Sequence, residues 1–324
     1  LARHYSEAGK EKQALHYFIL AGKSGIDCYC NQEAEGHFRR ALALSPSPSQ
    51  RGELLSGLGV AVARQGRMQE AIQIWKECIQ LYRASGDVNG VARLYARSAR
   101  VAWHAGDTRM GLQLCLEGLK AVEGAPESPE TARLVHETAR AYYFNGMPDK
   151  AAPLCRQALA MADRLGAVEV RADALATLGI LPDVATDEAI AVLEQAVELA
   201  EANQLTRVAH RAHMNLAAML WGLRGDTLTA HRHYQRTVEI ARRRGVPQEI
   251  VLSECTLLHA SMTLGEFSEV EKGIAELESM LGDLDDPQGA IAEIKLLRAL
   301  LLGLKGEWQA AVELTRQGRA DARR

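Results

Sequence analysis

Residues 54–81 read LLSGLGVAVARQGRMQEAIQIWKECIQL. Apolar residues recur at helical spacing from Leu54 to Gln65, the pattern stops at Gly66, and a second helical pattern runs from Gln69 to Leu81. Two antiparallel helices joined by a tight turn satisfy both patterns. Small residues stand where the helices must approach, Gly59 on the first and Ala71 and Cys78 on the second, while Leu58, Val62, Ile74 and Trp75 are placed to fill the seam. Neither helix can bury its apolar face alone, so the stretch predicts a unit that needs neighbours.

The neighbours are in the same chain. A glycine followed five residues later by a small residue recurs at Gly66/Ala71, Gly106/Gly111, Gly146/Ala151, Gly225/Ala230, Gly265/Val270 and Gly306/Ala311. The step is about 40 residues, with one doubled interval between Gly146 and Gly225 that Val184/Ala189 fills as a degenerate copy. Leu58, Gly59, Val62, Gly66, Ala71, Trp75 and Cys78 resemble the signature of the tetratricopeptide repeat, with one aliphatic substitution. The resemblance implies an all-α fold, a right-handed superhelical solenoid of about eight helix pairs. A period near 40, against about 34 in the standard repeat, implies one to two extra turns of helix per pair. The expectation for 1–324 is a single repeat array whose native chain continues beyond both ends, since LARHYSEAGKEKQALHYFILAG (1–22) already starts inside a unit and WQAAVELTRQGRADARR (308–324) reads as helix to its last residue.

Between units, SPSPSQ (45–50), ASGD (84–87), GAPESP (124–129), RLGA (164–167), RRGVP (243–247) and GDLDDPQG (282–289) read as hand-over points. LPDVATDE (181–188) replaces a glycine turn by Pro182, with Thr186 or Asp187 positioned to cap the next helix, and predicts a local irregularity.

Composition narrows the function. A formal net charge of −3 over 324 residues argues against generic binding of nucleic acid or membrane. There is no apolar run of about 18 residues and no leader-like N-terminus, which places the chain in the cytoplasm as an expectation. Six scattered cysteines read as reduced thiols, Cys115 and Cys155 at the core position that Trp75 holds. Cys28-x-Cys30, with His37 as its one neighbour of ligating type, falls short of a metal set. No phosphate-binding glycine loop, dinucleotide fingerprint, HExxH or interpretable nucleophile–base spacing is present, so neither an enzymatic role nor a cofactor is expected of this segment.

In a tetratricopeptide array the first helices of successive pairs line the concave surface. There, Arg93, Arg97, Arg100 and His104 fall on one helix face with Trp103 beside them, and Arg133, His136, Arg140 and Tyr143 repeat the design one unit later, next to Phe144. Arginines among aromatics suit an anionic peptide, a carboxylate terminus or a phosphate-bearing ligand. Alternatively the strip is a solvated face balanced by Glu130 and Glu137. On the binding reading, Arg100→Ala and Arg140→Ala are each expected to weaken partner binding at least about tenfold while leaving stability nearly unchanged. His210, His213, His231 and His233 cluster later, but residues two apart on a helix point away from each other, and no metal is expected. Met219, Leu223, Leu252, Met262, Leu296, Leu300 and Leu304 form a candidate apolar inner strip.

The opening 45 residues, with the long period, resemble the junction into the helical arm of bacterial STAND-type regulatory ATPases, among them large LuxR-type regulators and cyclase-associated ATPases. The resemblance implies a sensor arm that binds a protein, peptide or small inducer and relays this to a neighbouring ATPase. The alternative is a free-standing adaptor that docks peptides.

Overall fold

The computed structural model describes residues 1–281 and 288–321 and divides the chain into two compact units, Leu1–Asp183 and Val184–Arg324. The first contains α1 (Ala2–Glu7), α2 (Glu11–Asp27), α3 (Asn31–Ala43), α4 (Pro48–Arg64), α5 (Met68–Ser85), α6 (Val88–His104), α7 (Thr108–Ala121), α8 (Pro129–Phe144), α9 (Pro148–Leu165) and α10 (Val168–Leu178). The second contains α11 (Thr186–Ala202), α12 (Thr206–Met219), a π-turn (Leu220–Arg224), α13 (Thr227–Arg244), α14 (Pro247–Thr263), α15 (Phe267–Met280), α16 (Gln288–Leu304) and α17 (Trp308–Asp321). No strand occurs among the described residues. Helices α4, α6, α8, α10, α12, α14 and α16 begin at Pro48, Val88, Pro129, Val168, Thr206, Pro247 and Gln288, about 40 residues apart.

The pairs that turn on a glycine close as residues 54–81 suggest. Gly66, Gly106, Gly146, Gly225, Gly265 and Gly306 all have positive φ, the backbone state that lets a chain leave one helix and enter the next within a few residues. Gly59 is required for a different reason. A Cβ there would lie within 3.0 Å of the Trp75 indole, whose Nε1 donates to the Ser56 carbonyl at 3.1 Å. Leu58, Val62 and Trp75 are buried in the α4/α5 seam with Ala71 and Cys78, whereas Ile74 is only half-buried because it sits at the seam's edge. In the first unit α6 packs on its own partner α7 and also on α8, and α8 packs on α10, so α6, α8 and α10 form one inner stack.

Two boundaries depart from expectation. SPSPSQ is a linker only to Ser47. Pro48 occupies the first helical position, and Ser47 and Gln50 form a capping box that starts α4 inside the stretch. At 181–188 neither Thr186 nor Asp187 caps α11. Ala185 is the N-cap without a side-chain bond, and Asp187 instead receives Arg224 Nη2 at 2.6 Å. The unit boundary falls within this stretch, where the glycine turn is missing. The linker 282–287 and residues 322–324 lie outside the described residues.

The apolar inner strip is not continuous. Met262 is buried and Met219 and Leu296 are half-buried, while Leu223, Leu252, Leu300 and Leu304 are exposed, because the π-turn and the helix registers rotate successive positions to different sides. Cys115 and Cys155 are fully buried, and Cys28 and Cys30 are exposed thiols.

Candidate functional site

The arginines on α6 and α8 divide into two environments. At the C-terminal half of both helices, Arg100 and Arg140 enter a buried ionic cluster. Arg100 pairs with Glu137 and, through the same nitrogen, with Asp173 of α10 at 3.0 Å, and Arg140 Nη1 donates to Glu137 Oε2 at 2.8 Å. Two guanidinium groups thus meet two carboxylates. Glu137, Arg140 and Asp173 are 3%, 4% and 0% exposed, so the low local dielectric strengthens each bond and makes removal of any member costly. His136 is fully buried beside them, with Nε2 2.8 Å from Thr177 Oγ1. The Arg140 guanidinium lies over Trp103 and Phe144, 5.2 and 5.5 Å from their ring centroids, and burial lowers its pKa from the ordinary arginine value. Tyr143 and His104 pack edge-on against Phe144 and Trp103 at the outer rim. The cavity left among Arg100, Trp103, Arg140, Phe144 and Asn145 is about 10 Å³, at the lower limit for a single water, so this half offers a ligand no room.

His136, Glu137 and Asp173 stand close enough together to share a metal ion. Arg100 contacts both carboxylates, however, and already supplies the positive charge that a cation would bring.

The N-terminal half is different. Arg93 Nη1 is 3.7 Å from Glu130, and Arg133 donates to Glu169 of α10 at 2.7 Å. Burial disfavours charge on Arg133, but the bond to Glu169 outweighs it and raises the pKa. Between them, Arg97 has no carboxylate within ion-pairing distance among the described residues, and its hydrogen bond to Ser56 Oγ is long, at 3.4 Å. Burial, then repulsion from Arg93 and Arg133, depress its pKa to about 10. Arg64 at the end of α4 adds to this repulsion while bonding the Ile26 carbonyl at 2.7 Å and lying over the Tyr29 ring.

The strip named from sequence is therefore real as a juxtaposition, but it is neither uniform nor solvated. Its balancing acids are Glu130 and Glu137, as read, plus Glu169 and Asp173, which were missed. Glu169, Asp173 and Thr177 recur every four residues on α10, a signal for one polar face that fits the inner stack.

The second unit holds its histidines in pairs with other helices. His210 Nε2 lies 2.8 Å from Ser253 Oγ, and Ser253 donates its own proton to the Glu249 carbonyl at 2.7 Å, so the imidazole is the donor. Ser253 is thereby held as a buried acceptor, without a base to activate it. His231 Nε2 meets Ser261 at 2.9 Å. His213 and His233 meet each other, Nδ1 to Nδ1, at 2.8 Å.

No family model and no curated protein matches the chain. Solved structures do match. A Rap protein complexed with competence and sporulation factor shares 16% identity over 96% of this chain and 89% of its own, with a TM-score of 0.63. The fold is that of tetratricopeptide-repeat proteins. A Rap conjugation gene regulator solved with a Phr peptide gives 11%, 95% of each chain and 0.62. The STAND protein of Pyrococcus horikoshii with a tetratricopeptide-repeat sensor gives 14% and 0.56 over 99% of this chain, which spans 49% of that one. At these identities the likeness is one of fold. Among the described residues no helix of the array is long and apolar enough to cross a membrane.

Proposed function

We propose that this chain is a cytoplasmic, non-catalytic recognition arm that receives an anionic group of a protein or peptide partner at Arg97 and relays its binding to a neighbouring regulatory domain of a larger bacterial signalling protein. One observation carries the reading: Arg97 is a partly buried cation, hemmed by Arg93 and Arg133, with no carboxylate of its own. A charge without a direct ion pair in such a place costs stability that attraction from Glu169 offsets only in part, and an incoming carboxylate or phosphate would reduce that cost. The Rap structures solved with competence and sporulation factor and with a Phr peptide support a peptide as the ligand class, and the STAND protein supports the role of sensor. A nearly end-to-end match to the Rap chains favours a second form of the same reading, a free-standing peptide-binding regulator.

The test is fluorescence anisotropy with labelled acidic decapeptides, their C-termini free or amidated, against the full chain. Arg97→Ala is expected to weaken binding at least about tenfold, equivalent to about 1.4 kcal/mol, without lowering the unfolding midpoint, since the variant relieves repulsion. Equal binding by wild type and variant, or no binding of any acidic peptide, rejects the reading.

A further inference from the structure

The contact between His213 of α12 and His233 of α13 has a defined proton arrangement. His213 Nε2 lies 3.1 Å from Glu201 Oε1, and Arg236 Nε donates to the same oxygen at 3.0 Å. An oxygen that already receives the Arg236 guanidinium is a carboxylate acceptor, so Glu201 accepts from His213 and does not donate to it. His213 therefore carries its proton on Nε2 and turns the Nδ1 lone pair towards His233, whose Nδ1–H donates. His213 is 5% exposed, whereas His233 is half-buried and reaches solvent.

We propose that His213 and His233 form a binding site for a divalent transition metal of the Zn²⁺ class, both ligating through Nδ1. The change required is balanced. His233 moves its proton from Nδ1 to Nε2, through solvent on its exposed side, and both rings turn so that the two Nδ1 lone pairs converge on the ion, with no net charge lost. Zinc–nitrogen bonds of about 2.0–2.1 Å at a tetrahedral angle place the two nitrogens about 3.3 Å apart, an opening of roughly 0.5 Å from the 2.8 Å observed. Glu201 already makes the bond that metal-ligating histidines characteristically make with their other ring nitrogen, fixing tautomer and ring orientation before the ion arrives. The remaining coordination positions fall to water at the His233 side. The contrast with His136, Glu137 and Asp173 is instructive. That group offers one more ligand, but a guanidinium stands against it, whereas Arg236 bonds to Glu201 at the far nitrogen of His213.

Calorimetric titration of the tag-free full chain with Zn²⁺ at neutral pH tests the site. One saturable equivalent is expected. His233→Ala should abolish it, with circular dichroism confirming that the helices persist. Glu201→Gln should weaken it about 10- to 100-fold, and His16→Ala, at an exposed histidine of the other unit, should leave it unchanged. Because a core variant can fail to fold, Cu²⁺ paramagnetic resonance on the wild type gives a second measure, for which coupling to two imidazole nitrogens is expected. Absence of saturable binding, persistence of it in His233→Ala, loss of it in His16→Ala, or coupling to fewer than two nitrogens overturns the proposal.

Discussion

Arg97 and Arg140 are the same residue type about one repeat apart, yet their surroundings give them opposite energetics. Arg97 sits among like charges, so its removal relieves strain in the electrostatic sense. Arg140 bonds Glu137, covers two aromatic rings and is almost fully buried, so its removal leaves a carboxylate without one of its donors in a dry setting. The expectation that Arg100→Ala and Arg140→Ala would leave stability nearly unchanged is corrected by this burial. Arg140→Ala is expected to cost about 3–5 kcal/mol, the range for breaking a buried pair from one side. Urea unfolding should show it as a lower midpoint with unchanged slope. Arg140→Lys should recover only part of the loss, because a lysine cannot lie flat over Trp103 and Phe144 while reaching Glu137.

At the scale of the element, the helix that carries half of the candidate site depends on its first turn. Ser128 Oγ accepts from the Thr131 N–H at 3.2 Å while Thr131 Oγ1 accepts from the Ser128 N–H at 2.9 Å, a reciprocal cap that starts α8 at Pro129. Ser128→Ala is expected to destabilise the first unit by about 1 kcal/mol. Amide exchange should quicken at Thr131 and Ala132 before it does further along α8. The same local chemistry explains what could be read in advance. Turn glycines, small seam residues and the helix-sized gaps between them depend on residues within one pair, so the all-α repeat architecture was legible from 54–81 outward. Helix starts were less so, because SPSPSQ is equally good as a linker and as a cap, and the choice falls to Pro48. Acids opposite the arginines escaped notice because Glu169 and Asp173 meet α6 and α8 across stacked helices, and lateral register cannot be read from the period of any one helix. The contact between His213 and His233 escaped it because spacing along one helix says nothing of a partner on the next.

For the whole chain, the distribution of histidines makes acid stability uneven. His210, His213, His233 and His259 in the second unit all have pKa values lowered from 6.5, in each case first by burial, whereas in the first unit a lowered value is resolved for His37. A histidine held neutral in the folded state binds its proton more readily when unfolded. The stability it contributes is complete above about pH 6.5 and is lost as the pH falls through the folded-state value. Acidification from pH 7.5 to 5 is therefore expected to weaken the second unit more than the first. Exchange mass spectrometry should show protection falling first across α12, α13 and α14, with His210→Gln flattening the profile.

A repeat array ordinarily behaves as a chain of nearest neighbours, each unit stabilised only by the next, so that it can fray or lose a unit piecemeal. The contact from Arg100 on α6 to Asp173 on α10 breaks that rule, because it passes over the intervening α8/α9 pair and is tied to it through Glu137. Helices α6, α8 and α10 share one charge balance there, and none can detach without stranding an ion on the other two. These three helices of the first unit are accordingly one cooperative block, and excision of the α8/α9 pair would leave Arg100 and Asp173 without the Glu137 and Arg140 that complete their charge balance.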